Sequence, residues 1–401
     1  IKKTDFKADE IRMKATSLGG KSLFPDKDAL NFAVMDNVVA AGGLGNFSQV
    51  DLTKVLAGKK VSVRAGLGAT TENVFGTCSP KDFETMMQLT YLTFTAPRKD
   101  MEAFESYKNR TKAELESAQA NPLSSINDTL QKAMYNNHPR VVIMKPEMVD
   151  QINYDRILEM YNDRFKDASD FTFYFVGNID VEKMKPMIAK YLGGLPSINR
   201  KETFKDTKME IRKGQYKNEF AKKQETPMAT IMFLFNGTCK YDLRNNLTLS
   251  ILDQALDMVY TAEIREKEGG TYGVSVQAGS SREPYESYSM SMMFDCDPDK
   301  ADHLKSLIYA EIDKLMKEGP TQEEIDKVTT ILKKNNEQSK PHNAYWMSAI
   351  QTYYLRGIDV TDPKNFDDII DKITTKDVKK FTQKLFKGAN VVDMIFQPKS
   401  K

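Results

Sequence analysis

The residues best placed to do chemistry are Arg265 and Tyr272, in the stretch Glu263-Ile264-Arg265-Glu266-Lys267-Glu268-Gly269-Gly270-Thr271-Tyr272-Gly273-Val274. A long amphipathic helix runs into this stretch, two glycines break it, and a strand begins at Tyr272. The spacing predicts a guanidinium at a helix end and a phenol at a strand start, close across a short turn. Both groups donate hydrogen bonds. Together they can hold a carbonyl or a developing oxyanion. A structural role fits the same residues: the arginine offsets the dipole at the helix C-terminus, and the tyrosine packs on the sheet. Spacing by itself favours the structural role.

Other chemistries lack their side chains. The chain has three histidines, His138, His303 and His342, and none lies three to five residues from another. The zinc-peptidase motifs H-E-x-x-H and H-x-x-E-H need two imidazoles four residues apart on one helix face, with a glutamate between them. The three histidines are therefore read as surface or turn residues. Cys78, Cys239 and Cys296 form no C-x-x-C pair, which argues against a disulfide framework and a thiolate metal site. Gly42-Gly43-Leu44-Gly45 is followed by no Lys-Ser/Thr pair and trails a helix, so it reads as a C-cap turn rather than a phosphate loop. No metal is expected in this chain.

Lys plus Arg number 58 against 56 Asp plus Glu, a net charge of +2, so nothing in the balance calls for nucleic acid or a charged membrane surface. The lysines of Lys376–Lys380 are interrupted by Asp377 and Val378 and read as a solvated helix face. With 40% hydrophobic and 10% aromatic residues the chain can fill sizeable cores. No apolar run approaches the roughly 20 residues of a membrane helix. The few cysteines leave both cytosol and periplasm open as the compartment. The chain begins at Ile1 rather than Met, which suggests a processed product or a piece of a longer polypeptide.

The elements that must position Arg265 and Tyr272 recur in order. The first unit reads as strand (Asp9–Ala15), helix (Lys27–Ala41), two strands (Lys60–Ala65 and Asn73–Cys78), helices from Ser79, Lys99 and Pro122, then helix Tyr154–Phe165 and strand Phe171–Val176. The second reads as strand Ala229–Phe235, helix Leu243–Arg265, strands Tyr272–Gln277 and Ser287–Phe294, helices from Pro298, Gln322 and Ala344, then helix Thr375–Leu385 and strand Val391–Phe396. Pro80 and Pro298 differ by 298 − 80 = 218, Phe165 and Leu385 by 385 − 165 = 220, and Pro97 and Pro320 by 320 − 97 = 223. An order that recurs at so steady an offset points to duplication. The fold class is α+β: two homologous domains, residues 1–205 and 206–401, each a mainly antiparallel sheet with helices packed on one face. Gly193-Gly194-Leu195-Pro196 and the polar stretch to Thr226 form the linker, of which Lys208–Arg212 could pair as a strand.

This two-unit order, the Arg265…Tyr272 spacing of 272 − 265 = 7, and the runs Val176-Gly177-Asn178 and Tyr191-Leu192-Gly193-Gly194-Leu195-Pro196 resemble one half of the pitrilysin/insulinase family of zinc metallopeptidases, the inverzincins. The resemblance is to the C-terminal, non-metal-binding half, and it spans essentially the whole chain. It implies half of a clamshell that encloses a peptide substrate. The zinc-binding N-terminal half, with H-x-x-E-H and a distant glutamate, lies elsewhere in the polypeptide or in a partner subunit. Arg265 and Tyr272 would then contact the substrate backbone and stabilise the tetrahedral intermediate. The helix at the family's metal position here reads Asn31-Phe32-Ala33-Val34-Met35-Asp36-Asn37-Val38-Val39, without His or Glu. Glu114 and Glu116 stand about where the distal acidic ligand would be, and are read as surface residues. Zinc is thus expected in the complete enzyme and not in this chain, which alone should be inactive. The competing expectation is a catalytically inactive structural or peptide-binding homologue of the same fold.

Overall fold

A computed structural model of the chain describes residues 1–119, 122–222, 228–269, 271 and 273–399. Two units emerge: one of residues 1–120, 139–208 and 339–357, the other of 121–138, 209–338 and 358–401. In the first, strands β1 (Lys2–Lys3), β2 (Ile11–Leu18), β3 (Val61–Leu67), β4 (Thr71–Cys78) and β5 (Thr172–Gly177) form one sheet in the order β1-β5-β2-β4-β3. Only β1 and β5 pair in parallel. Period-two alternation places Ile11, Met13 and Ala15 of β2 on one buried face. Against it pack α1 (Ala29–Gly42), α3 (Phe83–Thr95) and α6 (Tyr154–Phe165), through Met35, Met86, Ile157 and Phe165 among others. Helices α2 (Gln49–Val55), α4 (Met101–Gln119) and α7 (Val181–Tyr191) complete the unit's own repeat. Between α4 and α6 the chain makes α5 (Pro122–Met134), which belongs to the other unit.

The second sheet has the corresponding order, β6-β10-β7-β9-β8, built from β6 (Gln215–Lys222), β7 (Ala229–Thr238), β8 (Ser275–Ser281), β9 (Ser287–Cys296) and β10 (Asn390–Pro398). Here β6 and β10 are the parallel pair. Helices α8 (Leu243–Tyr260), α9 (Ala301–Lys317), α12 (Pro363–Ile370) and α13 (Thr375–Phe386) cover one face with Leu252, Leu256, Leu304, Ile308, Ile370 and Phe381. A capping box forms at Thr321: its hydroxyl accepts from Glu324 N at 3.2 Å and the Glu324 carboxylate accepts from Thr321 N at 2.7 Å, opening α10 (Gln322–Ser339). The strand expected in the linker is displaced. Lys208–Arg212 is irregular, and the pairing segment is β6, downstream of it.

The other face of each sheet is covered by a helix from the other repeat's sequence. Helix α11 (Asn343–Arg356) lies on β5 and β2 of the first unit. Its Gln351 accepts from Lys14 Nζ at 2.8 Å and donates to Thr16 Oγ1 at 3.1 Å, while Asn343 donates to Glu10 at 3.0 Å. Helix α5 lies on β10 of the second unit, where Leu130, Ala133 and Met134 meet Leu234, Val392 and Met394. Arg212 donates to the carbonyls of Ala133 and Met134, satisfying the C-terminal end of α5.

An aspartate on the first helix of each unit faces the edge strand. Asp36 of α1 accepts from Leu67 N of β3 at 3.1 and 3.2 Å, whereas Asp253 of α8, near the Ala278 amide of β8, keeps a buried Oδ1 without a hydrogen-bond partner among the described residues. Burial raises the pKa of both, that of Asp253 to about 6. In the first unit the buried Arg164 of α6 meets Glu72 of β4, itself buried, at 3.4 Å. Glu72 also accepts from Ser17 Oγ at 2.9 Å and from Gly20 N at 2.8 Å. A Cβ on Gly20, at φ 61°, would lie 2.5 Å from Thr71 N, so the turn that delivers this amide needs glycine.

Three outcomes follow from this packing. A polypeptide of residues 1–208 lacks α11 and should unfold without a cooperative urea transition; adding a peptide of residues 339–357 should restore one. Glu72→Ala removes the acceptor of Ser17 Oγ and Gly20 N and leaves the buried Arg164 to Asp163 and Glu202, so it should cost about 1–3 kcal/mol in urea unfolding; an unchanged midpoint would show that Glu72 contributes little. Asp253→Asn should stabilise the protein at pH 8 and not at pH 4. With a folded pKa raised to about 6, the aspartate's neutral form is the favoured one, and stability is lost as pH rises through that value. A pH-independent effect of the substitution would refute this reading.

Candidate functional site

Past Tyr260 the hydrogen-bond register of α8 loosens, and Thr261–Lys267 continues as a π-helical segment. Such segments occur frequently at functional sites. Ile264 is fully buried and anchors the segment to the core. Its neighbour Arg265 consequently points outward and is exposed. The adjacent charges are paired: Lys267 Nζ lies 2.6 Å from Glu263 Oε1, and Glu268 Oε2 lies 3.0 Å from His303 Nε2 on α9. Among the described residues no carboxylate comes within ion-pair distance of Arg265. The helix therefore ends in a braced segment that presents a guanidinium without a carboxylate partner among the described residues. Tyr272, the second residue of the expected pair, lies outside the described residues. The strand expected from Tyr272 begins at Ser275.

His303 is thus exposed, as the sequence suggested, but it also pins the segment that carries Arg265. Sequence spacing offered no signal for that contact, because α9 and the segment approach only through the fold. His342 is exposed at the start of α11, and His138 is partly buried.

In the first unit, a groove of about 1000 Å³ runs between α1 and α4. Ala33, Asn37 and Ala40 line it from α1; Tyr107, Arg110 and Glu114 line it from α4. This is the place that the family resemblance gives to a metal. The side chains do not fit zinc. The α1 wall offers methyl groups and an amide, and Glu114 faces Arg110 at 3.7 Å, a cation where a metal ligand would require a metal. Glu116 is exposed and does not line the groove. Among the described residues no three His, Cys, Asp or Glu side chains are grouped to hold a metal ion. No helix among them is long and apolar enough to cross a membrane. Burial keeps the pKa of the Cys78 and Cys296 thiols high, at about 12 and about 11, so neither is a ready nucleophile.

Residues 151–332 match the family described as peptidase M16 inactive domain. A zinc protease PQQL-like protein of Arabidopsis thaliana is 26% identical over 370 residues, covering 87% of this chain and 36% of that protein. The crystal structure of the periplasmic protease PqqL from Escherichia coli superposes with a TM-score of 0.83 at 18% identity, over 98% of this chain and 43% of that one. A peptidase M16 inactive domain from Pseudomonas fluorescens superposes with a TM-score of 0.77 at 17% identity, over 98% and 94% of the two chains. The chain spans about a third of the length of the curated relatives it matches (36%, 34% and 34%). The α+β architecture, two mixed sheets with helices, is that of these structures. The segment that matches the M16 inactive domain runs through the stretch that carries Arg265, and the chain is homologous to PqqL-like zinc proteases, in line with the resemblance of its sequence to the pitrilysin/insulinase family.

Proposed function

We propose that this chain is the C-terminal half of a zinc metalloendopeptidase, comprising two homologous domains, residues 1–205 and 206–401. It would enclose a peptide substrate against a zinc-binding half that lies in the same polypeptide or in a partner subunit. The observation that carries this reading is Arg265: exposed, without an ion-pair partner among the described residues, and held at the end of α8 by a braced π-helical segment. It lies within the segment that matches the M16 inactive domain. Zinc and the water it activates belong to the other half. In this chain, Arg265 and Tyr272 would donate hydrogen bonds to the substrate carbonyl, and more strongly to the oxyanion as that carbon becomes tetrahedral. Holding the substrate backbone by donors on a rigid helix end would also fix its orientation.

The second reading, a catalytically inactive structural or peptide-binding homologue, has its support in the α1 groove, whose side chains do not suit a metal. The two readings part at Arg265, since a structural chain has no use for an exposed guanidinium braced in this way.

This chain should therefore show no cleavage of a quenched fluorescent peptide alone, and should support cleavage when the metal-binding half is supplied, with activity lost on chelation. Cleavage by the chain alone would refute the half-enzyme reading; none from the combined halves, across a panel of peptides, would favour the structural one. In the complete enzyme, Arg265→Ala should lower kcat/KM by about 10²–10³-fold, the usual cost of an oxyanion donor. Its thermal unfolding should barely move, because the side chain is exposed. Tyr272→Phe should act in the same direction. Wild-type kinetics in both variants would remove the catalytic role.

A further inference from the structure

The edge of the first sheet is open. In the pairing of β3 with β4, Ser79 N donates to Lys60 O and Gly68 N to Thr71 O. With the register Ser62↔Thr77 and Arg64↔Phe75, the even-numbered residues of β3 spend their main-chain groups on β4. Those of Val61, Val63, Ala65 and Leu67 point away from the sheet. Leu67 N is taken by Asp36. For the amides of Val61, Val63 and Ala65 the described residues supply no backbone partner. Edge strands of this kind pair with another strand unless they are covered, bulged or very short. This edge is regular over seven residues.

Beside the open groups is a cavity of about 390 Å³, bounded mainly by Val39 of α1, Leu52 and Leu56 at α2, and Val61 and Val63 of β3, with Asp36 and Thr53 among its polar lining. It lies on the helix-facing side of the edge, where alternate side chains of an added strand would project. On the opposite side stands Arg64. Its guanidinium lies 4.4 Å from the centre of the Phe75 ring, is exposed, and makes no ion pair among the described residues. The chemistry of the edge thus has three parts in register: main-chain donors and acceptors, a largely apolar cavity on one side and a cation on the other.

We propose that the β3 edge binds an extended peptide segment as an added strand, with apolar side chains directed into the cavity and an acidic side chain beside Arg64. A second copy of the chain is the poorer occupant. Two β3 edges side by side would set Lys60 and Arg64 of one against the same cations of the other, and like charges across a strand pair are destabilising. A strand with alternating apolar and acidic residues meets the cavity and the cation together, which is how such edges gain specificity beyond their main-chain bonds. The site uses neither Arg265 nor a metal-binding half, so it stands or falls independently of the peptidase reading.

The test uses the full 401-residue chain and a fluorescein-labelled eight-residue peptide that alternates Val or Leu with Ser and Glu, followed by fluorescence anisotropy. Saturable binding is expected. N-methylation of one alternate set of peptide amides removes the bonds to β3 and should weaken binding about ten-fold or more, as two or three main-chain hydrogen bonds would. Methylation of the other set should leave it nearly unchanged. Arg64→Glu should reverse the preference, favouring a peptide with Lys in place of Glu. Equal effects of the two methylated sets, an unchanged preference in Arg64→Glu, or no saturable binding would each overturn the proposal. So would a concentration-dependent dimer in sedimentation velocity that the peptide dissociates, which would give the edge to a second copy.

Discussion

Each five-stranded sheet has two faces to remove from water, and the helices that follow its own strands in sequence cover only one of them. The remaining face of the first sheet carries Lys14, Thr16 and Tyr174, and that of the second carries Leu234, Val392 and Met394. The chain covers both by reciprocal exchange: α11 leaves the second repeat to lie on β5 and β2, and α5 leaves the first to lie on β10. Several other features depend on this. The units are discontinuous in sequence, so neither half of the chain has a complete set of layers. Arg212 is committed to the C-terminal carbonyls of α5. The two covering helices also differ in kind. On the second sheet the contact is apolar, and burial drives it. On the first it is a set of side-chain hydrogen bonds through Asn343 and Gln351, where direction matters more than area.

The strands and helices of both repeats were legible in the sequence because their periods are clean. β2, β7 and β10 alternate or run apolar, and the core helices carry apolar residues at helical spacing. The destination of α5 and α11 was not legible. An amphipathic helix declares that it has a face to bury, and nothing in its own pattern says against which sheet. β6 was lost for a related reason. Gln215-Tyr216-Lys217-Asn218-Glu219-Phe220-Ala221-Lys222 reads as linker because an edge strand keeps polar residues. Its strand character comes from parallel pairing with β10, a partner about 175 residues away. The π-helical segment was equally hidden, since a one-residue change of hydrogen-bond register leaves no mark on composition.

The groove between α1 and α4 separates what packing fixes from what chemistry requires. α1 is held by Phe32, Met35, Val38 and Val39, all buried in the first core. Those residues determine where its exposed face points, and they would do so whatever side chains that face carried. Here it carries Ala33, Asn37 and Ala40. A groove of enzyme-like size survives without a ligand set, because the fold supplies the position of a site and the exposed side chains alone supply its reactivity. The absence of His and Glu along Asn31–Val39 was visible from the sequence for the same reason: it concerns identity, and needs no coordinates.

The surroundings of Arg265 bear on the role proposed for it. Two nearby carboxylates are engaged elsewhere, Glu263 with Lys267 and Glu268 with His303, and among the described residues none pairs with the guanidinium. The carbonyls at the end of α8 favour a cation there, so the unpaired charge is tolerated without a carboxylate. In water, a hydrogen bond from that guanidinium to a peptide carbonyl gains little, because solvent competes for both partners. The same bond strengthens several-fold once solvent is excluded and the effective dielectric falls. Exclusion of solvent requires a bound peptide and a second surface closing over it. An exposed arginine at the end of a braced helix is therefore poorly suited to stabilising this chain, and well suited to stabilising charge on a carbonyl that something else has enclosed.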